Sequence, residues 1–170
     1  MKLERMSEQY AFIGYLHSLR EKEQRGTLAA LRRGLGKVPG SVPETYPIVI
    51  PRMPEGTTRW EEEIYFIIAS LFAYHPSPEG QGDMGAVFQK VHKESQSESI
   101  ESRFVALLRA HKDDLPNHLR HAISIAKSHN VPINWAELFT DLRQWNRFDR
   151  KTQRKWANSY WKNVKIENGD

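Results

Sequence analysis

The sequence predicts an all-α protein, a helical bundle of two small helical lobes that share one core. Apolar residues recur at the 3.6-residue period of an α-helix almost throughout the chain, and no convincing alternating strand is present. Glycines and prolines fall between the periodic segments, as is typical of helix ends and connections. The 170 residues are 39% hydrophobic and 27% charged. A chain of this length and composition can bury roughly 70% of its unfolded surface, so it folds without disulfides or metals.

The N-terminal lobe is expected to span residues 1–56 of a single domain, 1–170. The inward face of its first helix is predicted to consist of Met6, Tyr10, Ile13 and Leu16. A short second helix carries a leucine stripe at positions 28, 31 and 35 and is closed by Gly34 and Gly36. Five prolines then disfavour helix between residues 38 and 56, which predicts an ordered wrap or linker.

The C-terminal lobe is expected to span residues 57–165. Thr57 or Thr58 can cap its first helix, with Glu61 in the first turn, and the run Ile64–Tyr74 is apolar enough to be buried on nearly all sides. Further helices follow, one of which starts at Asn134 in a pattern similar to a capping box. The aromatic and leucine residues predicted to point inward here are Trp135, Leu138, Phe139, Leu142, Trp145, Trp156 and Tyr160.

Several protein classes are excluded by composition and patterning. The chain has no cysteine, which excludes a disulfide framework and thiolate metal sites and suits a reducing cytoplasm, the expected location. The N-terminal segment is charged and lacks the apolar core of a signal peptide. The longest apolar run is too short to span a bilayer.

Enzymatic and metal sites are not predicted. His111, His118 and His121 lie close in sequence, but neither a zinc motif nor a carboxylate at suitable spacing accompanies them. Asp113 and Asp114 are interpreted as a helix-start signal, and the loop "GQGDMG" lacks the preceding strand and the following GK[ST] of a phosphate loop. We therefore expect no catalysis, no metal and no cofactor.

Basic residues are distributed unevenly along the chain. The net charge is only +4, but residues 25–37 ("RGTLAALRRGLGK") contain four basic residues and no acid, and residues 143–165 contain eight against one. Arg109, Arg120 and Lys127 also face away from the apolar stripes of their helices. Such faces are compatible with plain solvation, with nucleic-acid binding, or with a structural adaptor that meets acidic protein surfaces.

Several segments together resemble the CasB family, the small subunit of the type I-E CRISPR surveillance complex Cascade. The similar stretches, in family order, are "RGTLAALRRGLG" (25–36), "ASLFAYHP" (69–76), "DMGAVF" (83–88), "SESIESRFVALLRAHKDDLPNHLRHAISIAKS" (97–128), "VPINWAELFTDLRQWN" (131–146) and "RKWANSYW" (154–161). Resemblance is least in the proline-rich stretch 38–56 and after Lys162.

The resemblance implies a non-enzymatic subunit that works in antiviral defence. Its implied partners are other Cascade subunits, the CRISPR RNA (crRNA), target DNA and a second copy of itself, and its implied task is to hold the RNA–DNA heteroduplex and the displaced strand of the R-loop. The candidate nucleic-acid-binding residues, from the resemblance and from the charge pattern, are Arg25, Arg32, Arg33, Lys37, Arg59, Arg103, Arg109, Lys112, Arg120 and Lys127. Lys112 stands where arginine is expected in some relatives, so it keeps the charge without the bidentate fork.

Overall fold

The computed structural model describes residues 2–165, and within them it contains nine α-helices and no β-strand. The all-α prediction is therefore confirmed. The helices are α1 (Lys2–Glu21), α2 (Arg25–Arg32), α3 (Tyr46–Val49), α4 (Arg59–Tyr74), α5 (Met84–Ser95), α6 (Glu98–Arg109), α7 (Leu115–Ser128), α8 (Trp135–Arg143) and α9 (Lys151–Lys165). Among these residues, no helix combines the length and apolar character needed to cross a membrane.

Two compact units make up the chain, residues 1–78 and 79–170. The apolar helix α4 thus groups with the N-terminal residues, whereas the lobes expected from the sequence divide before it. The reason is packing: Leu28 and Leu31 of α2 are buried, and α2 contacts α4. Just after α2, the chain still lies close to α4: a Cβ added at Gly34 would be 3.4 Å from Cβ of Ser70 on α4.

The core of the first unit is built around α4, whose residues 64–73 are all buried. The face of α1 that is buried consists of Gln9, Phe12, Ile13, Leu16 and Leu19. The prediction that Met6 and Tyr10 point inward is wrong, because these side chains are 37% and 55% exposed. At 100° per residue, Tyr10 lies roughly 120° from the centre of the buried face, and so it turns towards solvent.

The segment 38–56 is ordered in short helical turns. Two 3₁₀ turns, Pro43–Thr45 and Ile50–Arg52, flank α3, and each has proline in its first turn, where no amide donor is needed. The Tyr46 hydroxyl donates to the Gly40 carbonyl at 2.7 Å, and the Arg52 guanidinium lies 3.4 Å from the centre of the Tyr15 ring. Proline thus breaks long helix here without leaving the chain unstructured.

Helix α4 begins with a capping box. The Thr58 hydroxyl accepts a hydrogen bond from the Glu61 amide at 3.3 Å, and the Glu61 carboxylate accepts one from the Thr58 amide at 3.1 Å. Both donors would otherwise be unpaired at the helix end. The cap predicted at Thr57 or Thr58 is therefore confirmed at Thr58.

Replacing this cap should weaken the first unit by a modest amount. We expect Thr58→Ala to lower the free energy of unfolding by about 1 kcal/mol, since the Glu61 amide loses its acceptor. Thr58→Ser keeps the hydroxyl and should remain within a few tenths of a kcal/mol of the parent protein. Urea denaturation of both variants measures the difference, and equal stability of the two would contradict a capping role.

In the second unit, α5 packs against α9 and α6, and α6 and α5 both contact α7. The predicted inward tryptophans Trp135, Trp145 and Trp156 are confirmed, each at most 2% exposed. The Asn134 side chain accepts from the Glu137 amide at 3.1 Å, which confirms the predicted start of α8. Phe104 of α6 packs against Tyr160 of α9, with ring centres 4.7 Å apart.

A buried carboxylate joins α8 to α9. Asp141 is 5% exposed and accepts hydrogen bonds from Nε1 of Trp156 at 2.7 Å and from Nζ of Lys155 at 2.5 Å. Burial raises the pKa of Asp141 above its ordinary value, and the two donors oppose that rise. Lys155, one of the eight basic residues near the C-terminus, thus pairs with a buried acid although its own side chain is 42% exposed.

Candidate nucleic-acid interface

The basic segment 25–37 is presented by α2 and the turn that follows it. Leu28 and Leu31 anchor α2 in the core, so Arg25, Arg32 and Arg33 lie on exposed positions. Arg25 is the first residue of the helix, and no acidic residue occupies the first turn. A cation at the positive end of a helix dipole is unfavourable for helix stability, so the charge of Arg25 does not stabilise the start of α2.

Arg32 and Arg33 differ in how they are held. Nη1 of Arg32 lies 3.4 Å from the Ala73 carbonyl oxygen, a long hydrogen bond back to the end of α4. Nη1 of Arg33 lies 4.0 Å from Oε1 of Glu44, and both side chains are more than half exposed. Neither contact removes the arginine from solvent, so both guanidinium groups can reach a ligand.

Arg59 is exposed but lies among acids. It forms an i,i+4 ion pair with Glu63 at 3.4 Å, and its own side chain is 92% exposed. Glu61 and Glu62 lie in the same first turn of α4. The surrounding carboxylates offset its charge, so Arg59 is the least suited to phosphate among the five predicted residues of this unit.

The second unit carries the other five predicted residues. Arg103 and Arg109 lie on α6, Lys112 lies in the turn before α7, and Arg120 and Lys127 lie on α7; all five are exposed. Arg120 and Lys127 are seven residues apart and therefore share one face of α7. The sequence prediction that Arg109, Arg120 and Lys127 face away from the apolar stripes of their helices agrees with their exposure.

Most of these cations are uncompensated. All ten predicted residues are exposed. Within residues 2–165, the side chains that make no ion pair or hydrogen bond with another described residue are those of Arg25, Lys37, Arg103, Arg109, Lys112 and Arg120. An exposed, unpaired cation costs little to leave in water and is available to phosphate oxygens.

Two surface clefts adjoin residues of this set. Arg109 lines one together with Glu98, Glu101 and His92, whose Nδ1 lies 2.5 Å from the Tyr160 hydroxyl. Burial, and to a lesser extent Glu101, raises the pKa of Tyr160 to about 12, so this hydroxyl is protonated at neutral pH. The acids in this cleft disfavour phosphate, so the Arg109 guanidinium is better placed for a ligand outside it.

The other cleft lies between two loops of the second unit. Residues 110–112 line one side, residues 145–148 and Arg150 line the other, and the cleft has a volume of about 410 Å³. Lys112 is among the residues predicted from sequence, whereas Arg147, Phe148 and Arg150 are not. The excess of basic residues after position 143 is the available signal; helical periodicity cannot place these three, because they lie in the loop between α8 and α9.

Histidines and acids do not assemble a metal site in the part of the chain that the structure describes. No group of three or more potential ligands lies together there. Nδ1 of His111 lies 3.3 Å from Oδ2 of Asp113, His118 is half-buried, and His121 is exposed. Asp114 is the N-cap residue of α7, as interpreted from sequence, although its side chain makes no capping hydrogen bond.

Comparison with known proteins identifies relatives along nearly the whole chain. The family model of CRISPR-associated protein Cse2 matches residues 27–161. A CRISPR-associated protein Cse2 from Thermus thermophilus is 32% identical over 160 residues, which cover 92% of this chain and 91% of the relative.

Solved structures of the same fold extend this similarity. The crystal structure of M. ruber CasB is 31% identical, covers 95% of this chain and 96% of its own, and has a TM-score of 0.78. A chain of a CRISPR RNA-guided surveillance complex has a TM-score of 0.81 at 22% identity, covering 96% of this chain and 97% of its own. At that identity the second likeness concerns the fold alone.

Proposed function

The chain belongs to the Cse2 family of CRISPR-associated proteins, and from this premise we propose that it is the non-catalytic small subunit of a Cascade-type surveillance complex. In this proposal it holds the crRNA–target DNA heteroduplex and the displaced DNA strand of the R-loop. Its partners are the other Cascade subunits, crRNA, target DNA and a second copy of itself in the assembled complex.

The observation that carries the proposal is the exposure of all ten predicted basic side chains, six of them without a partner among the described residues. Six of the ten are arginines on or beside helices α2, α6 and α7, where leucines and aromatic residues fix the backbone beneath them. Guanidinium groups offer a planar fork of donors that suits phosphate oxygens. Such a surface would contact the phosphate backbone of the nucleic acid and would bind without regard to base sequence.

The free energy of R-loop formation is such that a subunit that only binds the nucleic-acid backbone can stabilise the R-loop. Replacing a DNA duplex by an RNA–DNA heteroduplex is nearly balanced in free energy, so modest protein–backbone contacts can shift the balance towards the open R-loop. No bond needs to be made or broken by a protein that acts in this way. The role requires only that cations be held at fixed positions, which the buried leucines of α2 provide for Arg32 and Arg33.

A salt titration tests the proposal. The purified protein should bind DNA and RNA with little sequence preference, and the logarithm of its affinity should fall linearly with the logarithm of salt concentration, by about 0.9 per phosphate neutralised on duplex DNA and about 0.7 on single strands. Arg32→Ala/Arg33→Ala should reduce this slope by roughly one to two units. Helicity should be retained, because alanine favours helix and neither arginine lies on the leucine stripe.

A charge-matched control separates phosphate contact from a general loss of charge. Arg5→Ala/Lys22→Ala removes the same charge, but Arg5 lies 3.5 Å from the Glu61 carboxylate and Lys22 stands between Glu21 and Glu23. This control should leave the slope nearly unchanged. Parallel titration lines of equal affinity for the parent protein and Arg32→Ala/Arg33→Ala would overturn the role of α2 and favour an adaptor that binds acidic protein surfaces.

A further inference from the structure

The loop between α8 and α9 exposes an aromatic ring beside basic residues. Phe148 is 96% exposed, more than any other large apolar side chain whose exposure is described. It lines the 410 Å³ cleft together with Lys112, Arg147 and Arg150. A single exposed apolar side chain is common, but this ring lies beside three basic side chains that line the same cleft, so an aromatic face and positive charge are available together.

The loop holds this ring outward rather than leaving it free to collapse. Arg147 donates to both carboxylate oxygens of Asp149, at 3.1 and 2.7 Å, and the Lys151 amide donates to Asp149 at 3.2 Å. Phe148 therefore lies between two residues that are bonded to each other. At the start of the loop, Nε1 of Trp145 donates to the Ala110 carbonyl at 2.9 Å. The Phe148 ring thus projects from a loop that the Arg147–Asp149 pair closes and that the buried Trp145 anchors in the core.

Two cations of the cleft can still donate to a ligand, because Lys112 is exposed and Arg150 is exposed with N–H donors beyond the one it gives to a backbone carbonyl. Asp149 compensates Arg147, but Lys112 has no ion pair within the described residues. Arg150 donates to the Leu108 carbonyl and holds a backbone φ of 54°, a left-handed conformation that a side-chain-bearing residue adopts at a cost. The cleft thus combines one aromatic face with Lys112 and Arg150.

We propose that this cleft binds one unpaired nucleotide of a single strand, with its base stacked on Phe148 and its flanking phosphates on Lys112 and Arg150. The inference rests on the proposed function and adds a base-stacking site to a surface otherwise described only by charge. Stacking on an aromatic ring is sequence-tolerant, because every base has a π-face, and it requires a base that is not paired. The occupant is therefore single-stranded nucleic acid rather than duplex.

Comparing a normal and an abasic strand isolates the stacking contribution. An oligothymidylate of about 15 nucleotides, within the range of single-strand site sizes, and an abasic strand of the same length carry equal phosphate charge and differ only in their bases. The parent protein should bind the thymidine strand about tenfold more tightly than the abasic strand. In Phe148→Ala this ratio should fall to nearly one, whereas Phe148→Trp should retain it.

Further variants distinguish stacking from charge and from apolar contact. Phe148→Leu keeps an apolar side chain but no ring face, and it should behave as Phe148→Ala does. Lys112→Ala should weaken both strands equally, lower the salt slope by about 0.7 and leave the ratio between them unchanged. Circular dichroism checks that each variant is folded.

The outcomes separate this inference from the proposed function. If the parent protein binds neither strand at low salt, both are overturned. If it binds both with a normal salt slope but the ratio is the same in Phe148→Ala, only the stacking site is overturned. Should Phe148→Ala leave that ratio unchanged and instead weaken assembly with other subunits, Phe148 is a protein contact and the stacking site is wrong.

Discussion

Gly85→Ala is expected to lower the free energy of unfolding by about 3 kcal/mol or more, at or above the upper end for an overpacked core. Gly85 is buried on α5, where the helix meets α9. A Cβ at this position would lie 2.0 Å from the carbonyl oxygen of Trp156 and 2.7 Å from its carbonyl carbon. Both obstructing atoms belong to the backbone of α9, so no side-chain rotation can relieve the clash and the two helices must move apart.

The same substitution at Gly14 provides the matched control. Gly14 lies in the middle of α1, is exposed, and has no atom within 4 Å of the position that a Cβ would take. Gly14→Ala should therefore raise the free energy of unfolding by about 0.5–1 kcal/mol, through helix propensity alone. Urea denaturation followed by circular dichroism measures both variants. Equal midpoints for Gly85→Ala and the parent protein would show that α5 and α9 do not approach as closely as described.

Sequence periodicity predicts single helices better than it predicts which helices meet. The buried run of α4, the cap at Thr58 and the inward face of α8 follow from local rules, because each depends on residues within one or two turns. The contact of α5 with α9 depends on one glycine and a backbone carbonyl far away in sequence. In a sequence, a glycine at a helix start can indicate a turn, a cap or a close backbone approach. Only the structure shows that Gly85 makes a close approach to α9.

Exposed apolar residues are a second feature that sequence periodicity does not predict. Tyr10 and Phe148 carry the same apolar signal as core residues, but the first lies off the buried face of α1 and the second lies in a loop without periodicity. Basic residues are easier to place, because charge is rarely buried without a partner and an outward position is the default. The exposure of the candidate surface was therefore predictable from the sequence, whereas the cleft around Phe148 was not.

Trp145 connects this cleft to the core of the second unit. Its side chain is 2% exposed, and its ring centre lies 5.0 Å from that of Trp156. Besides the hydrogen bond to the Ala110 carbonyl, its own carbonyl accepts one from Nε2 of Gln153 at 3.0 Å. One residue thus ties the loop that carries Phe148 to the loop that carries Lys112 and to α9.

Trp145→Ala should therefore lower the free energy of unfolding by about 3–5 kcal/mol, as for other buried aromatic residues. The loss combines the cavity left by the indole with the unpaired carbonyl of Ala110. Trp145→Phe retains most of the apolar volume and loses only the donor, so it should cost about 1–3 kcal/mol. Urea denaturation of the two variants gives the comparison. If both lost the same small amount, the ring would not be filling the core, and the anchoring of the Phe148 loop would have to come from the Arg147–Asp149 pair alone.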